Sequence, residues 1–223
     1  MNLLTYFRYL ASSGAVAYYT ASQIRDSKTR CNMLTGLYLS ETSSIKFLST
    51  LSERANNEGD FWLAEKLKNH AADENKHSKI LAHTLRQIDE NIDLNNINQY
   101  QNDSKENETN LFSAYFIGYS REQLAPHCID WDIFFASTYI MEFDASKDFA
   151  RMAKVLPEND SSIGNLKLGL LSIAEDEKNH AAYLYDAMMR KMNITQVETL
   201  VEEWRVRKVN AIFQIIKSKT LSK

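Results

Sequence analysis

Two Glu-x-x-His pairs stand in this chain, Glu74-x-x-His77 and Glu177-x-x-His180, each preceded by an aspartate, Asp73 and Asp176. Residues three apart on a helix lie about one turn apart on the same face, so each pair can reach one metal ion. Two more glutamates, Glu41 and Glu142, sit in apolar stripes of helical period. A lone carboxylate buried beside Leu and Phe costs several kcal/mol or becomes the neutral acid. Several in one core need compensating positive charge. Two divalent ions would balance four carboxylates, and two neutral imidazoles would complete the set. The pattern predicts a dinuclear centre held by Glu41, Glu74, His77, Glu142, Glu177 and His180. The plainer alternative is a set of solvated faces or a buried ion-pair network. The apolar company these residues keep on their stripes speaks against it.

The two halves of the chain repeat each other. Tyr38-x-x-Glu41 matches Tyr139-x-x-Glu142, and Asp73-Glu74-x-x-His77 matches Asp176-Glu177-x-x-His180, with Leu81 and Leu184 following at equal offset. Repetition at this length predicts a doubled helical hairpin with a pseudo-twofold axis, not a solenoid. His70 shares the stripe of Glu74, but its counterpart is Ile173, so it reads as pocket lining or a satisfied core histidine.

The elements that must position these residues are long helices. The first hairpin runs from about residue 29 to Ala55 and from Phe61 to Ile88, broken at Asn56–Asp60, where Gly59 suits a helix end and Asp60 an N-cap. The second runs from about Asp130 to Val155 and on to about Lys191, with Pro157 and the Asn159–Ser162 cluster between. Glu41 and Glu74 lie about 17 and 15 residues from the first break. At about 1.5 Å rise per residue they reach similar depth in an antiparallel pair. The polar stretch 91–110 predicts a long crossover, and 112–123 a short helix before Pro126. Further helices are expected at 1–25 and at 195–218, the latter opened by a Thr195-x-x-Glu198 capping box. All of this fits one domain over 1–223.

Composition agrees. Six glycines and two prolines in 223 residues are too few for a turn-rich β protein. A net charge of −3 speaks against broad phosphate neutralisation, so no nucleic-acid partner is expected, and the basic residues around Arg205–Lys208 read as a solvated face. Cys31 and Cys128 form no C-x-x-C, which excludes a rubredoxin-type or zinc-ribbon site in the chain and fits a reducing, cytoplasmic setting. Arg8 interrupts the apolar N-terminal run, so no membrane span is expected there.

With these residues in view, the chain resembles the ferritin-like superfamily of dinuclear carboxylate proteins. Their ligand set is one Glu from each of two helices and a Glu-x-x-His from each of the other two. The resemblance spans about 29–191 and implies an all-α, ferritin-like four-helix bundle: two hairpins, a long crossover and added terminal helices. It implies that Glu74 and Glu177 bridge the metals. It implies that Asp73 and Asp176 brace metal-bound histidines from neighbouring helices. Tyr38 and Tyr139, one turn from Glu41 and Glu142, are candidate supports for those carboxylates.

Such a centre suits two iron ions, with manganese or a mixed pair also compatible. Proteins similar to this one include rubrerythrin-type peroxidases, desaturases and other oxygenases. Rubrerythrins carry one more Glu a turn after the third-helix Glu, where this chain has Ala145. The leading expectation is an O₂-dependent di-iron oxidase or oxygenase acting on a small or lipid-like organic substrate. Its electrons would come from a separate reductase or ferredoxin. Ferroxidase or peroxidase turnover is the second expectation, and a metal-stapled interaction protein the third. A homodimer is compatible with any of them.

Overall fold

The computed structural model describes residues 3–94, 111–157 and 163–221. Among these, seven helices form and no strand: α1 (Leu3–Arg25), α2 (Ser27–Asn57), α3 (Phe61–Ile88), α4 (Leu111–Tyr115), α5 (Trp131–Val155), α6 (Leu166–Met189) and α7 (Ile194–Leu221). Most of the expected crossover (95–110) and the 159–162 cluster lie outside the described residues.

Local chemistry sets the helix ends. Asp26, Asp60 and Asp130 cap α2, α3 and α5, their side chains accepting from backbone N–H groups in the first turn. Gly59 takes the turn between α2 and α3 with φ of 83°, a backbone conformation that favours glycine. The capping box of α7 is not Thr195-x-x-Glu198. Asn193 and Gln196 exchange hydrogen bonds between side chain and backbone, each at 3.0 Å, so the box sits two residues earlier. The helix expected over 112–123 is cut to α4. Gly118 turns the chain at φ of 93°, and Ser120 and Gln123 then bond each other's backbone, closing a turn where a helix would have continued.

α2 packs along α3 and α5 along α6, the two hairpins of the bundle, while α1 and α7 lie on its outside. Arg30, buried on α2, ties α1 down by donating from its guanidinium to the Ile24 carbonyl at 2.8 Å and the Arg25 carbonyl at 3.0 Å. The apolar core falls into two clusters. One holds Leu48, Leu51, Leu67, Phe134, Phe135, Leu184 and Trp204. The other holds Leu34, Leu81, Leu85, Phe149, Leu170 and Ile173. Glu41 lies between Leu34 and Leu48, and Glu74 between Leu67 and Leu81, so a polar layer interrupts the apolar core at mid-bundle. No helix among the described residues is long and apolar enough to cross a membrane.

Candidate metal centre

The polar layer contains all six predicted ligands. Glu41, Glu74, His77, Glu177 and His180 are buried, and Glu142 is half-buried on α5. Every buried side-chain N or O atom among the described residues has a hydrogen-bond partner. That is the condition for tolerating so many polar groups in a core.

His77 turns Nδ1 inward, 3.1 Å from Glu41, 3.4 Å from Glu177 and 3.8 Å from Glu74. His180 turns Nδ1 inward, 3.1 Å from Glu177 and 3.9 Å from Glu74. The outer nitrogens cross between hairpins: His77 Nε2 meets Asp176 at 3.1 Å, and His180 Nε2 meets Asp73 at 3.2 Å. Each aspartate therefore orients the histidine of the opposite Glu-x-x-His helix. Lys76 closes one pair from outside by donating to Asp176. Ser44 donates to Glu74 at 2.6 Å and fixes that carboxylate.

A third imidazole joins them. His70 Nε2 lies 3.2 Å from Glu74 and 3.6 Å from Glu142, and its ring stacks on His180 at 3.6 Å. Its Nδ1 lies 2.8 Å from the Tyr183 hydroxyl. Sequence reasoning read His70 as pocket lining or a satisfied core histidine, because the repeat offers no partner for it, and it does line the cavity that opens on this layer. Its place one turn before Glu74 on the inner stripe was the available signal. Tyr38 and Tyr139 sit differently from their glutamates. Tyr38 packs against the second apolar cluster, and Tyr139 against Phe143 and Tyr185. No hydrogen bond joins either hydroxyl to Glu41 or Glu142 among the described residues.

The electrostatics show how crowded the carboxylates are. Burial lifts Glu41 to about 8, against the pull of its bond to His77. Burial and the neighbouring Glu177 hold Glu142 well above the carboxylate range, and burial raises Glu177 as well. Burial also works against charge on Glu74, yet its bond to His70 brings it down to about 2. Burial opposes charge on His77, but Glu177 and Glu41 push it up to about 11. Burial keeps His70 down at about 4 despite Glu74. Protons on the raised carboxylates and on His77 thus offset the negative charge crowded into this layer. Divalent cations could do the same.

The donor atoms fit that exchange. They fall into two groups, each with its ligand atoms within 4.8 Å of one another: Glu41, Glu74, His77 and Glu177, and His70, Glu142, Glu177 and His180. Glu177 belongs to both groups, the arrangement a bridging carboxylate needs; Glu74, also expected to bridge, falls in the first group alone, 3.2 Å from His70 and 3.9 Å from His180.

A cavity of about 390 Å³ opens on this layer from the α2–α5 side. Glu41, Glu74, Glu142, Glu177 and His70 form its floor, and Phe47, Leu48, Phe134 and Met141 its walls. Phe112, Phe116, Leu124 and Ile129, from α4 and the turns after it, roof it. Sequence reasoning missed this roof, which has no helical period to reveal it.

Fold and layer together define a ferritin-like carboxylate bundle with side chains able to hold a pair of metal ions. Residues 32–129 match the rubrerythrin family, whose members are di-iron proteins; the match covers less than half of the chain. It contains Glu41, Glu74 and His77 and ends before Glu142, Glu177 and His180. Neither a curated protein nor a solved structure matches the chain.

Proposed function

We propose that Glu41, Glu74, His77, Glu142, Glu177 and His180 hold two iron ions, and that the protein is an O₂-dependent oxidase or oxygenase of a small, largely apolar organic molecule. The observation that carries the reading is the cavity. Its volume of about 390 Å³ lies within the roughly 300–1,000 Å³ of small-molecule sites, and above the carboxylates its lining is mostly aromatic and aliphatic, with hydroxyls from Ser40, Ser43, Ser44, Ser137 and Thr138 among it. A centre that handled only peroxide would need no such chamber above its carboxylates.

When bound, the ions would supply two-electron chemistry with O₂. The chain does the rest. Asp176 and Asp73 hold the outer N–H groups of His77 and His180, which leaves Nδ1 of each facing inward. Ser44 keeps Glu74 oriented. Phe112, Phe116, Leu124 and Ile129 would hold an apolar substrate against the floor. Electrons would come from a separate reductase or ferredoxin, and the chain would work in the cytoplasm.

The test is anaerobic Fe(II) loading followed by rapid mixing with O₂. An oxidised di-iron absorption band and O₂ consumption with a chemical donor are expected. Narrowing the cavity with Ala145→Leu, a change on its lining, should slow consumption of an apolar substrate while leaving O₂ reduction at the centre in place. The rubrerythrin match favours a second reading, peroxide reduction or ferroxidase turnover. Fast H₂O₂ reduction by the reduced protein, indifferent to Ala145→Leu, would select it.

A further inference from the structure

Three imidazoles face the carboxylate layer, and all three are built alike. Each has one nitrogen among the glutamates and the other on an oxygen brace: Asp176 for His77, Asp73 for His180 and the Tyr183 hydroxyl for His70. His70 is about as buried as the other two and reaches Glu142 from the opposite hairpin. Its Nε2 bonds Glu74 at 3.2 Å and also faces Glu142 at 3.6 Å, and it falls in one donor group with Glu142, Glu177 and His180, so it is aimed where a metal donor would be. We propose that His70 is a seventh protein ligand, bound through Nε2 to the ion held by Glu142, Glu177 and His180, and that the two metal positions are therefore unequal. The proposal rests on the dinuclear reading above and deepens it.

The inequality has a chemical direction. One position offers Glu41, Glu74, Glu177 and a single imidazole, His77. The other offers Glu142, Glu177 and two imidazoles, His70 and His180. Imidazole raises affinity for Fe(II), whereas carboxylate-rich sets suit Mn(II) and harder ions. The His70 position fills first with Fe(II). It is also the position whose extra ligand lines the substrate cavity, because His70 lies on the cavity floor and His77 and His180 do not line it. With an ion at Nε2, the proton of His70 would sit on Nδ1 and be donated to the Tyr183 oxygen; without one, Nε2–H donates to Glu74 and Nδ1 accepts from the Tyr183 hydroxyl.

The experiment is stepwise anaerobic Fe(II) loading of the metal-free full chain. Bound iron is counted by equilibrium dialysis, and imidazole ligation by iron X-ray absorption. In the wild type, the first equivalent should show two imidazoles per iron, and full loading an average between one and two. His70→Gln should weaken the first step by at least the roughly 10–100-fold that loss of a histidine brace costs, and should leave one imidazole per iron at both loadings. His83→Gln, an exposed change on the same helix, should alter neither. One imidazole at the first equivalent in the wild type would overturn the proposal even if the variant did not fold. So would an unchanged first step in a folded His70→Gln protein that still binds two ions. A wild type that binds no iron would instead sink the dinuclear reading itself, and this proposal with it.

Discussion

The half-site from α2 and α3 and the half-site from α5 and α6 share one pattern and differ on the side that faces the cavity. Both keep an aspartate, a glutamate and a histidine in register, and the two aspartate–histidine bonds cross between the hairpins within 0.1 Å of equal length, at 3.1 and 3.2 Å. On that outer side the repeat is nearly symmetric. On the cavity side it is not. α3 places His70 beside Glu142, whereas α6 has Ile173 at the equivalent place, buried in an apolar cluster. α4 and the turns after it roof the cavity, and Glu142 keeps more exposure there than Glu41, 15% against 8% of its side chain. A doubled hairpin supplies a symmetric cradle; the residues that break the symmetry cluster where a substrate would approach.

The largest test of this comparison is to remove the group the halves share. Glu177→Ala should reduce bound iron to a small fraction of wild type, because both donor groups lose a carboxylate. Glu41→Ala and Glu142→Ala should each lose close to one ion and keep the other. Iron content of the purified, anaerobically loaded proteins measures this directly. Equal losses from all three variants would mean that Glu177 is not shared.

The next test sharpens the symmetry of the outer side. Asp176→Asn and Asp73→Asn each replace a charged brace by a neutral one, and each should weaken metal binding by about 10–100-fold. The Asp176 change should be the worse of the two. Its carboxylate is less exposed than that of Asp73, 21% against 39%, and it also holds Lys76. Competition with a chelator of known affinity would rank the two variants. If Asp73→Asn were the more damaging, the half-sites would not be braced in the way the geometry implies.

Much of this was readable from the chain because helical period and burial carry the same information. Glu41, Glu74, His77, Glu177 and His180 fall on apolar stripes, and the helix that holds each was bounded by caps and breakers such as Asp60 and Gly59. Three features were not readable, for different reasons. His70 was read as pocket lining or a satisfied core histidine and is both, but its approach to Glu142 was hidden, because it lacks a repeated partner. Beyond Phe112 on α4, the roof from Phe116 to Ile129 is made of turns, whose course depends on Gly118 and the Ser120–Gln123 bonds and not on period. The box that opens α7 was misplaced because Thr195-x-x-Glu198 and Asn193-x-x-Gln196 both satisfy the pattern, and only the chain path chooses between them.

The last test concerns charge, and it separates the metal-free from the loaded protein. Without ions, Glu41 holds its proton to about 8 and His77 to about 11, both above the ordinary values of 4.5 and 6.5. A group whose pKa is raised on folding stabilises the fold below its unfolded value, and that stabilisation is lost as pH rises through the folded value. Glu41 therefore loses its contribution between about 4.5 and 8, and His77 between about 6.5 and 11. His70, lowered to about 4, acts in the opposite sense, but only between about 4 and 6.5. Glu74, lowered to about 2, acts only below 4.5. Between pH 6.5 and 8 both Glu41 and His77 work in one direction, so the melting temperature of the metal-free protein should fall as pH rises. Cations bind the deprotonated forms of these same groups, so the loaded protein should hold or gain stability over that window, with protons released on loading. Thermal melts at pH 6.5, 7.2 and 8, each with and without Fe(II), would show the two curves diverging. Parallel curves would mean that the protons of this layer and its metal ions do not compete for the same side chains.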